Sequence, residues 1–290
     1  MRLLLALLLL ASQDVVRTAD PAKRGFKESD FPRSIRLADN VYAYEDLRSA
    51  GDERFTTVSL YVITTDGVLV ADGQGNLEAT KRLVDEIARK TTQPIKYVVI
   101  CSDHGDHTGG NAAFPSSAKF FAHPTSQKLV KTPTEPVPEK LALNLGGTEV
   151  QILFLGRAHT GGDLSVYLPK DKVLFMSEAF LNRVFPAMRS AFPSEWIDVV
   201  KKALKMDVRT FVPGHGFVEQ PAASREELGA YQKALEFVVA AVKKQHAAGT
   251  PVDEAIKKVD WGPYAEWRIS SQQGPIAVRK IYEELDGKLK

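Results

Sequence analysis

The sequence predicts a layered α/β domain followed by a helical extension. Segments rich in β-branched and aromatic residues alternate with amphipathic helices in both halves of the chain. Histidines lie in glycine-rich loops directly after several predicted strands, where a rigid sheet presents functional side chains. From residue 224 onward the pattern is helical throughout. We therefore expect sheets covered by helices around one core.

The predicted elements follow one another along the chain. Strands are predicted at residues 41–44, 58–64, 68–71, 95–101, 118–122, 149–155, 164–168, 173–176 and 208–212. Helices are predicted at residues 77–90, 194–205, 224–249, 253–259 and 275–285. The polar stretch 20–36 is expected to wrap the surface, and residues 48–54 are expected to form a loop between the first two strands.

Local signals justify several of these boundaries. Asn76 is a cap for the first helix, and Ser224 and Glu227 have the spacing of a capping box at the start of the third. The strand at 95–101 is almost continuously apolar, which is typical of a strand covered on both faces. Cys101, the only cysteine, ends this strand and is expected to be a small buried core residue.

The composition is that of a globular protein. The 290 residues suffice for a sizeable core, and 44% of them are hydrophobic and 26% charged. The formal net charge is only +2 and no run of Lys or Arg is present, which argues against a nucleic acid or an acidic membrane surface as partner. We expect a small-molecule substrate, and the composition leaves the oligomeric state open.

The N-terminus has the pattern of a targeting segment. Met1 and Arg2 give a positive start, and residues 3–11 form an unbroken apolar run. This run is shorter than the roughly 20 residues that a membrane-spanning helix needs, but it suits the apolar core of a signal peptide. We predict a signal peptide over residues 1–19 with an unassigned cleavage site, an exported (periplasmic or secreted) protein, and no stable membrane span after cleavage. A membrane tether or a disordered tail is the alternative.

Four of the six histidines lie in three glycine-rich loops. His104 and His107 belong to Ser-Asp-His-Gly-Asp-His-Thr-Gly-Gly-Asn, His159 to Ala-His-Thr-Gly-Gly-Asp, and His215 to Val-Pro-Gly-His-Gly. Imidazole and carboxylate groups together suit Zn²⁺ or another divalent metal such as Fe or Mn. These four histidines and Asp106 are therefore candidate metal ligands.

Together these motifs resemble those of the metallo-β-lactamase superfamily, whose main motif is His-x-His-x-Asp-His followed by Gly-Gly. The resemblance covers roughly residues 40–220 and includes the turn Asp72-Gly73. It implies an α+β fold, an αββα sandwich of two mixed sheets with helices outside, over residues 20–220. Residues 221–290 would form a C-terminal helical extension packed on the same domain.

The resemblance also implies two metal subsites and two departures from the family pattern. The family's first histidine would fall at Ser102, a poor ligand when neutral, and its bridging aspartate at Glu178. Glu178 is one methylene longer and could reach either metal, both or neither. The implied ligands are His104 and His159 for the first subsite, and Asp106, His107 and His215 for the complete second subsite.

Three states of this site follow. It could hold one metal in the complete subsite, an unequal pair in which Ser102 holds a water or binds weakly, or no metal at all. Three full ligands suffice for a catalytic zinc with an open position, which favours the first two states. The cofactor is thus expected to be one or two Zn²⁺ ions, with Fe or Mn as alternatives.

The implied chemistry is hydrolysis at a carbonyl or another electrophilic centre. A metal can lower the pKa of a water molecule to about 7 and polarise the attacked oxygen. Asp106 would be a ligand that also orients the nucleophile, and Glu178 is the second candidate catalytic residue. Asp72 would fix a ligand histidine by hydrogen bonding, or would simply be a turn residue.

Two further residues are candidates for substrate contacts. Phe55 ends the loop at 48–55, which resembles the family's mobile flap, and it could offer an apolar contact. Arg183 follows Glu178 in the chain and could bind a substrate carboxylate. A surface loop and a solvated charge are the alternatives for these two positions.

The function predicted from sequence is a zinc-dependent, or other divalent-metal, hydrolase. β-Lactam ring opening and thioester or lactone hydrolysis stay open, because one fold hosts many substrates. A nuclease is disfavoured because no basic groove is visible, and the chain leaves no room for the flavin domain of a redox member. A metal-binding protein with a degenerate site and no turnover is the alternative from another class, and a purely structural scaffold is a third.

Overall fold

The structure, a computed structural model, describes residues 16–289. Most of the predicted signal peptide, residues 1–15, lies outside the described residues, so export stays a prediction. At the described end of that segment, Ala19 is buried in the core and Arg17 pairs with Glu227. Within residues 16–289, none of the helices combines the length and apolarity that a membrane crossing requires.

The first sheet follows the chain order. Its strands are β1 (Arg33–Ala38), β2 (Val41–Ala50), β3 (Glu53–Thr64), β4 (Gly67–Ala71), β5 (Ile95–Ile100), β6 (Lys119–Ala122) and β7 (Glu135–Pro136). Strands β1 to β4 pair antiparallel, and β4 to β7 pair parallel. The sheet is therefore mixed, and the carboxyl ends of β4 and β5 meet at the same edge.

The second sheet is also mixed. Its strands are β8 (Lys140–Leu145), β9 (Thr148–Phe154), β10 (Leu164–Leu168), β11 (Val173–Phe175) and β12 (Thr210–Val212). Their spatial order is β12-β11-β10-β9-β8, and only β11 and β12 pair parallel. The carboxyl ends of β11 and β12 therefore also lie side by side.

Seven α-helices accompany the sheets in the part of the chain that the structure describes. They are α1 (Leu77–Lys90), α2 (Gly105–Thr108), α3 (Pro124–Gln127), α4 (Pro193–Lys205), α5 (Pro221–Ala247), α6 (Val252–Lys258) and α7 (Ser270–Leu285). Asn76 caps α1 as predicted, because its side-chain oxygen accepts a hydrogen bond from Ala79 N. Helices α5 to α7 form the C-terminal helical extension.

Alternating side chains of the strands divide the core into layers. In β5, Val98 packs with Leu83 of α1, whereas Val99 faces the second sheet together with the buried Cys101. On the outer face of the second sheet, Phe211 of β12 belongs to the same cluster as residues of α4, α5 and α7. The order of layers is helix, sheet, sheet, helix, which confirms the predicted αββα sandwich and the buried cysteine.

The largest differences from the predicted elements lie in the strands. Residues 48–54 are not a loop: β2 and β3 form a long hairpin whose turn is Gly51 and Asp52, because cross-strand pairing holds the polar residues in extended conformation. Part of the stretch predicted to wrap the surface forms β1 on the edge of the first sheet. Strand β8 was not predicted, although alternating leucines mark its buried face.

The starts of two helices also differ from prediction. Helix α5 begins at Pro221, whose fixed φ suits the first helical position. Ser224 forms no capping box, because its hydroxyl accepts a hydrogen bond from Phe211 N and donates one to Pro221 O. Helix α7 begins at Ser270, so Pro275 lies inside the helix rather than at its start.

Candidate metal centre

The candidate ligands gather where strands of both sheets end. Ser102 follows β5, Glu178 lies in a short 3₁₀ turn after β11, and His215 follows β12. His104 and His159 join them, the latter from the loop between β9 and β10. His104, His159, Glu178 and His215 line a cavity of about 420 Å³ that opens to the surface.

One group of ligand atoms comes from two histidines and a glutamate. His104 Nδ1 lies 3.0 Å from Glu178 Oε2, and His159 Nε2 lies 3.1 Å from Glu178 Oε1. The two histidine nitrogens are themselves 3.0 Å apart. His159 and Glu178 are buried, and His104 is half-buried.

A second group lies beside the first and shares Glu178. His215 Nε2 lies 3.0 Å from Asp106 Oδ2, 3.3 Å from Glu178 Oε1 and 3.4 Å from His107 Nε2. The ligand atoms of Asp106, His107, Glu178 and His215 all lie within 4.8 Å of one another. A guanidinium is also present, because Arg48 of β2 pairs with Asp106.

The outer contacts of the histidines show which ring nitrogens face the group. His215 Nδ1 donates to the backbone oxygen of Thr56 at 2.9 Å, and His107 Nδ1 lies 3.0 Å from Asp72 Oδ2. The first contact assigns the ring hydrogen of His215 to Nδ1, and the carboxylate of Asp72 favours the same tautomer in His107, so that each Nε2 turns a lone pair towards the other acceptors. Lone pairs and carboxylate oxygens that converge in this way are stabilised by a cation, and here Arg48 Nη1 already contacts Asp106 and lies 3.4 Å from His215 Nε2. The donor set therefore fits a divalent metal.

Burial and neighbouring charges shift the pKa values of several of these groups. Burial lowers the pKa of His215 to about 4, so its imidazole is neutral at physiological pH. Burial also acts to raise the pKa of Glu178, but the surrounding histidines outweigh it and hold that pKa well below its usual value. For His104 and His107, burial acts to lower the pKa, but neighbouring carboxylates outweigh it and raise the pKa of both.

The sequence also matches the model of a known protein family. The sequence model of the "Metallo-beta-lactamase superfamily" matches residues 51–215, more than half of the chain. The chain belongs to the metallo-β-lactamase superfamily. The resemblance stated from the histidine motifs is thereby confirmed, and the protein is a hydrolase of this superfamily with a candidate metal site.

Individual relatives of this superfamily hydrolase are distant. It is 24% identical over 191 residues to "Metallo-beta-lactamase type 2" of Elizabethkingia meningoseptica, which covers 62% of this chain and 77% of the relative. A protein of the same name from Bacillus sp. (strain 170) is 23% identical over 63% of this chain and 76% of its own length. A "2,4-dinitroanisole O-demethylase subunit alpha" from Nocardioides is 25% identical over 42% of this chain and 41% of its own.

Solved structures share the fold at still lower identity. A metallo-β-lactamase from Pontibacter korlensis superposes with a TM-score of 0.65 over 70% of this chain and 98% of its own, at 20% identity. The inverting sec-alkylsulfatase Pisa1 from Pseudomonas sp. gives a TM-score of 0.70 over 87% of this chain and 50% of its own, at 14% identity. The alignment with the alkylsulfatase therefore covers more of this chain than the alignment with the metallo-β-lactamase.

Within this superfamily hydrolase, the structure brings the residues proposed as ligands into one place. The four histidines of the motif loops, Asp106 and Glu178 all contribute atoms to the two groups. Asp72, named as a partner for a ligand histidine, is fully buried and faces His107. Its Oδ1 accepts from Cys101 N at 2.7 Å and its Oδ2 from Ser177 Oγ at 2.5 Å, so it also joins the loops after β5 and β11.

Two glycines allow the His215 loop to approach the Glu178 loop. A Cβ at Gly214 would lie 2.4 Å from the backbone carbon of Ser177, and Gly214 N donates to Ser177 O at 2.7 Å. Gly216 has φ of +82°, and a Cβ there would lie 1.9 Å from Asn182 O. Glycine at these two positions therefore permits the close packing of the loop that carries His215.

The two candidate substrate residues have different surroundings. Phe55 lines the cavity, but it is only 1% exposed. Its ring packs edge-on against the ring of His215, with the two ring centroids 5.3 Å apart. Arg183 does not line the cavity. It pairs with Glu227 of α5, with Nη2 donating to Oε1 at 2.9 Å, and it borders a separate depression. The structure gives no support to the carboxylate contact predicted for Arg183, because a buried acid already holds the guanidinium.

Other lining residues were missed at the sequence level. Arg48 pairs with Asp106, and Arg189 lies exposed at the rim without an ion-pair partner among residues 16–289. Ile269 and Gln273, from the C-terminal extension, also line the cavity. A basic residue in the flap segment was visible in the sequence, but no sequence signal connects Ile269 with a site that is encoded far upstream.

Proposed function

We propose that this protein is a zinc-dependent hydrolase of small molecules that carry a carbonyl-type group. The observation that carries the proposal is the convergence of Asp106, His107 and His215, whose ligand atoms all lie within 4.8 Å of one another. Three such ligands suffice for a catalytic zinc with an open position. Histidine and carboxylate ligands also suit Fe and Mn, so these metals are alternatives.

The residues of this chain would have two roles, as metal ligands and as groups that orient a water molecule. Asp106, His107 and His215 would hold one metal, and His104, His159 and Glu178 offer the ligands for a second. When bound, a metal supplies Lewis acidity, which makes a water molecule more acidic and polarises a substrate oxygen. The half-buried carboxylate of Asp106 faces the cavity, where it can accept a hydrogen bond from an attacking water and orient it.

The cavity suggests the kind of substrate. Leu181, Val184 and Ile269 give it an apolar wall, and the exposed Arg189 gives its rim a positive charge. A β-lactam, with a strained carbonyl and a carboxylate, suits these features, and proteins of that activity by name are among the distant relatives. The apolar wall equally favours a thioester or lactone with an aliphatic part, which is the second candidate.

The test compares metal content and turnover in the same samples. We expect the protein, loaded with Zn²⁺, to hydrolyse at least one member of a panel of β-lactams, lactones and thioesters. In His215→Ala and Asp106→Ala, metal affinity and turnover should each fall by more than the roughly 10–100-fold that removal of an outer partner of a ligand costs. His123→Ala is the matched control, because His123 accepts from Thr125 N at the start of α3 and belongs to neither group of candidate ligands. Tight metal binding without turnover of any panel member would instead favour a metal-binding protein.

A further inference from the structure

Glu178 lies between the two groups of candidate ligands. Its Oε1 is 3.1 Å from His159 Nε2 and 3.3 Å from His215 Nε2, so this oxygen faces both groups. Its Oε2 is 3.0 Å from His104 Nδ1. The side chain is 4% exposed, and the 3₁₀ turn after β11 fixes its backbone. The carboxylate is therefore placed to serve two metal ions at once.

Ser102 fixes the orientation of this carboxylate. Its hydroxyl donates to Glu178 Oε2 at 2.5 Å, and both side chains are buried. The serine is itself fixed, because its N donates to Asp72 Oδ1 at 3.4 Å and His104 N donates to its Oγ at 3.3 Å. A neutral hydroxyl is a weak metal ligand, but it is an effective hydrogen-bond donor to a carboxylate.

We propose that Ser102 and Glu178 act as a pair in place of a third histidine ligand. Glu178 supplies the third ligand of the subsite that His104 and His159 begin, and it bridges to the subsite of Asp106, His107 and His215. Ser102 is a positioning residue that holds Glu178 in this bridging orientation. The inference rests on the proposed function only in that the protein binds a divalent metal at this centre.

Metal stoichiometry tests the pair. Metal-free protein is titrated with Co²⁺, and bound cobalt per chain is measured by elemental analysis and by the visible absorption of the ion. We expect two ions per chain in the unaltered protein. Ser102→Ala should keep one ion and bind the second at least about tenfold more weakly, as loss of an outer partner of a ligand does. Ser102→Thr, which keeps the hydroxyl, should bind two ions.

A control variant and a second test variant complete the experiment. Ser59→Ala removes another buried hydroxyl, one that donates to Gly73 O and does not contact the ligands, and it should bind two ions. Glu178→Gln keeps the shape but not the charge of the carboxylate, and it should also retain only one ion. Thermal unfolding of each metal-free variant reports whether it is folded, and Glu178→Gln carries the test if Ser102→Ala does not fold.

The outcomes separate this inference from the proposed hydrolase. Two ions bound with unchanged affinities by Ser102→Ala or Glu178→Gln would overturn it, as would one ion per chain in the unaltered protein at saturating Co²⁺. If the unaltered protein binds two ions and Ser102→Ala one, but no panel substrate is hydrolysed, the pair stands and the hydrolase proposal fails.

Discussion

The Nδ1 atoms of His107 and His215 face oxygen atoms that are not themselves candidate ligands. His107 faces the carboxylate of Asp72, and His215 donates to the backbone oxygen of Thr56. Such outer partners fix the tautomer and the ring orientation of a histidine ligand. Because one partner is a side chain and the other is backbone, only the first can be removed by substitution.

Asp72→Asn is expected to weaken Zn²⁺ binding about 10–100-fold. An amide presents only one oxygen, so it cannot accept from Cys101 N and Ser177 Oγ and also face His107 Nδ1. Competition with a chromophoric chelator measures the dissociation constant. Asp66→Asn is the control, since Asp66 pairs with Lys96 on an exposed turn and should leave the constant unchanged. An unchanged constant in Asp72→Asn would show that His107 needs no such partner.

Metal affinity is expected to fall as the pH is lowered from 8 to 6, by roughly tenfold per pH unit for each proton displaced. The neighbouring carboxylates raise the pKa of His104 and His107 against the effect of burial, so as the pH falls these rings take up a second proton that a metal must displace. His215, with a pKa of about 4, carries none in this range. Dissociation constants for Zn²⁺ at several pH values test the slope. A slope of zero would contradict protonation of His104 and His107.

At the scale of the elements, the loop after β12 and the loop after β11 are in backbone contact. Gly214 N donates to Ser177 O, and Asn182 N donates to His215 O. This contact places His215 beside Glu178 without any side chain between the two loops. The ligand geometry therefore depends on the absence of a Cβ at position 214.

Gly214→Ala is expected to destabilise the metal-free protein by about 2 kcal/mol or more, since the new Cβ would overlap backbone rather than a movable side chain. Metal affinity should fall with it, because His215 must move. Gly229→Ala is the matched control: it lies inside α5 with no atom near the added Cβ, and should stabilise by about 0.5–1 kcal/mol. Urea unfolding measures both. Equal stabilities of the two variants would contradict the close approach.

The C-terminal extension holds the tip of the β2–β3 hairpin. Ile269 N donates to Glu53 Oε2 at 2.9 Å, and Gln272 Nε2 donates to Ala50 O at 3.0 Å. The corresponding segment was expected to resemble a mobile flap. Here these contacts join the tip of the hairpin to the start of α7, so the mobility of the tip depends on a few hydrogen bonds.

Gln272→Ala is expected to increase hydrogen exchange of the amides in residues 48–54 severalfold, with little change in overall stability, because local opening costs less than global unfolding. Hydrogen exchange followed by mass spectrometry measures this. Gln232→Ala, on α5, loses only a contact to Glu236 and should leave exchange of the hairpin unchanged. Identical exchange in both variants would show that the amide of Gln272 does not restrain the hairpin.

Much of the site could be predicted from sequence because its ligands are rare residue types in glycine-rich loops after strands. His104, Asp106, His107, His159 and His215 were all identified in this way. The place of Arg183 could not be predicted, because its partner Glu227 lies on a helix that packs against it only in the folded chain. Residues 48–54 of the hairpin were predicted as a loop for a similar reason: these polar residues are extended through cross-strand pairing.

For the whole molecule, the candidate ligands come from both sheets. His107 follows a strand of the first sheet, while Glu178 and His215 follow strands of the second. An ion bound by all three would link the two sheets at their common edge. Since the unfolded chain cannot assemble this set, metal binding should stabilise the fold.

Zn²⁺ at about 100 times its dissociation constant is expected to raise the free energy of unfolding by about 2.7 kcal/mol, and a chelator should reverse the effect. Thermal or urea unfolding with and without metal measures it. His215→Ala should show a much smaller increase at the same concentration, and His123→Ala should match the unaltered protein. Equal stabilisation of His215→Ala would mean that the ion binds elsewhere.

The lining of the cavity by Ile269 and Gln273 has a consequence for the order in which the protein matures on the ribosome. All proposed metal ligands have been synthesised once the chain reaches His215, whereas the part of the cavity wall formed by Ile269 and Gln273 needs the start of α7. A nascent chain could therefore capture an ion before it has a compartment that retains a substrate. Synthesis of the last helix would then mark the moment at which a metal-loaded polypeptide becomes a selective catalyst.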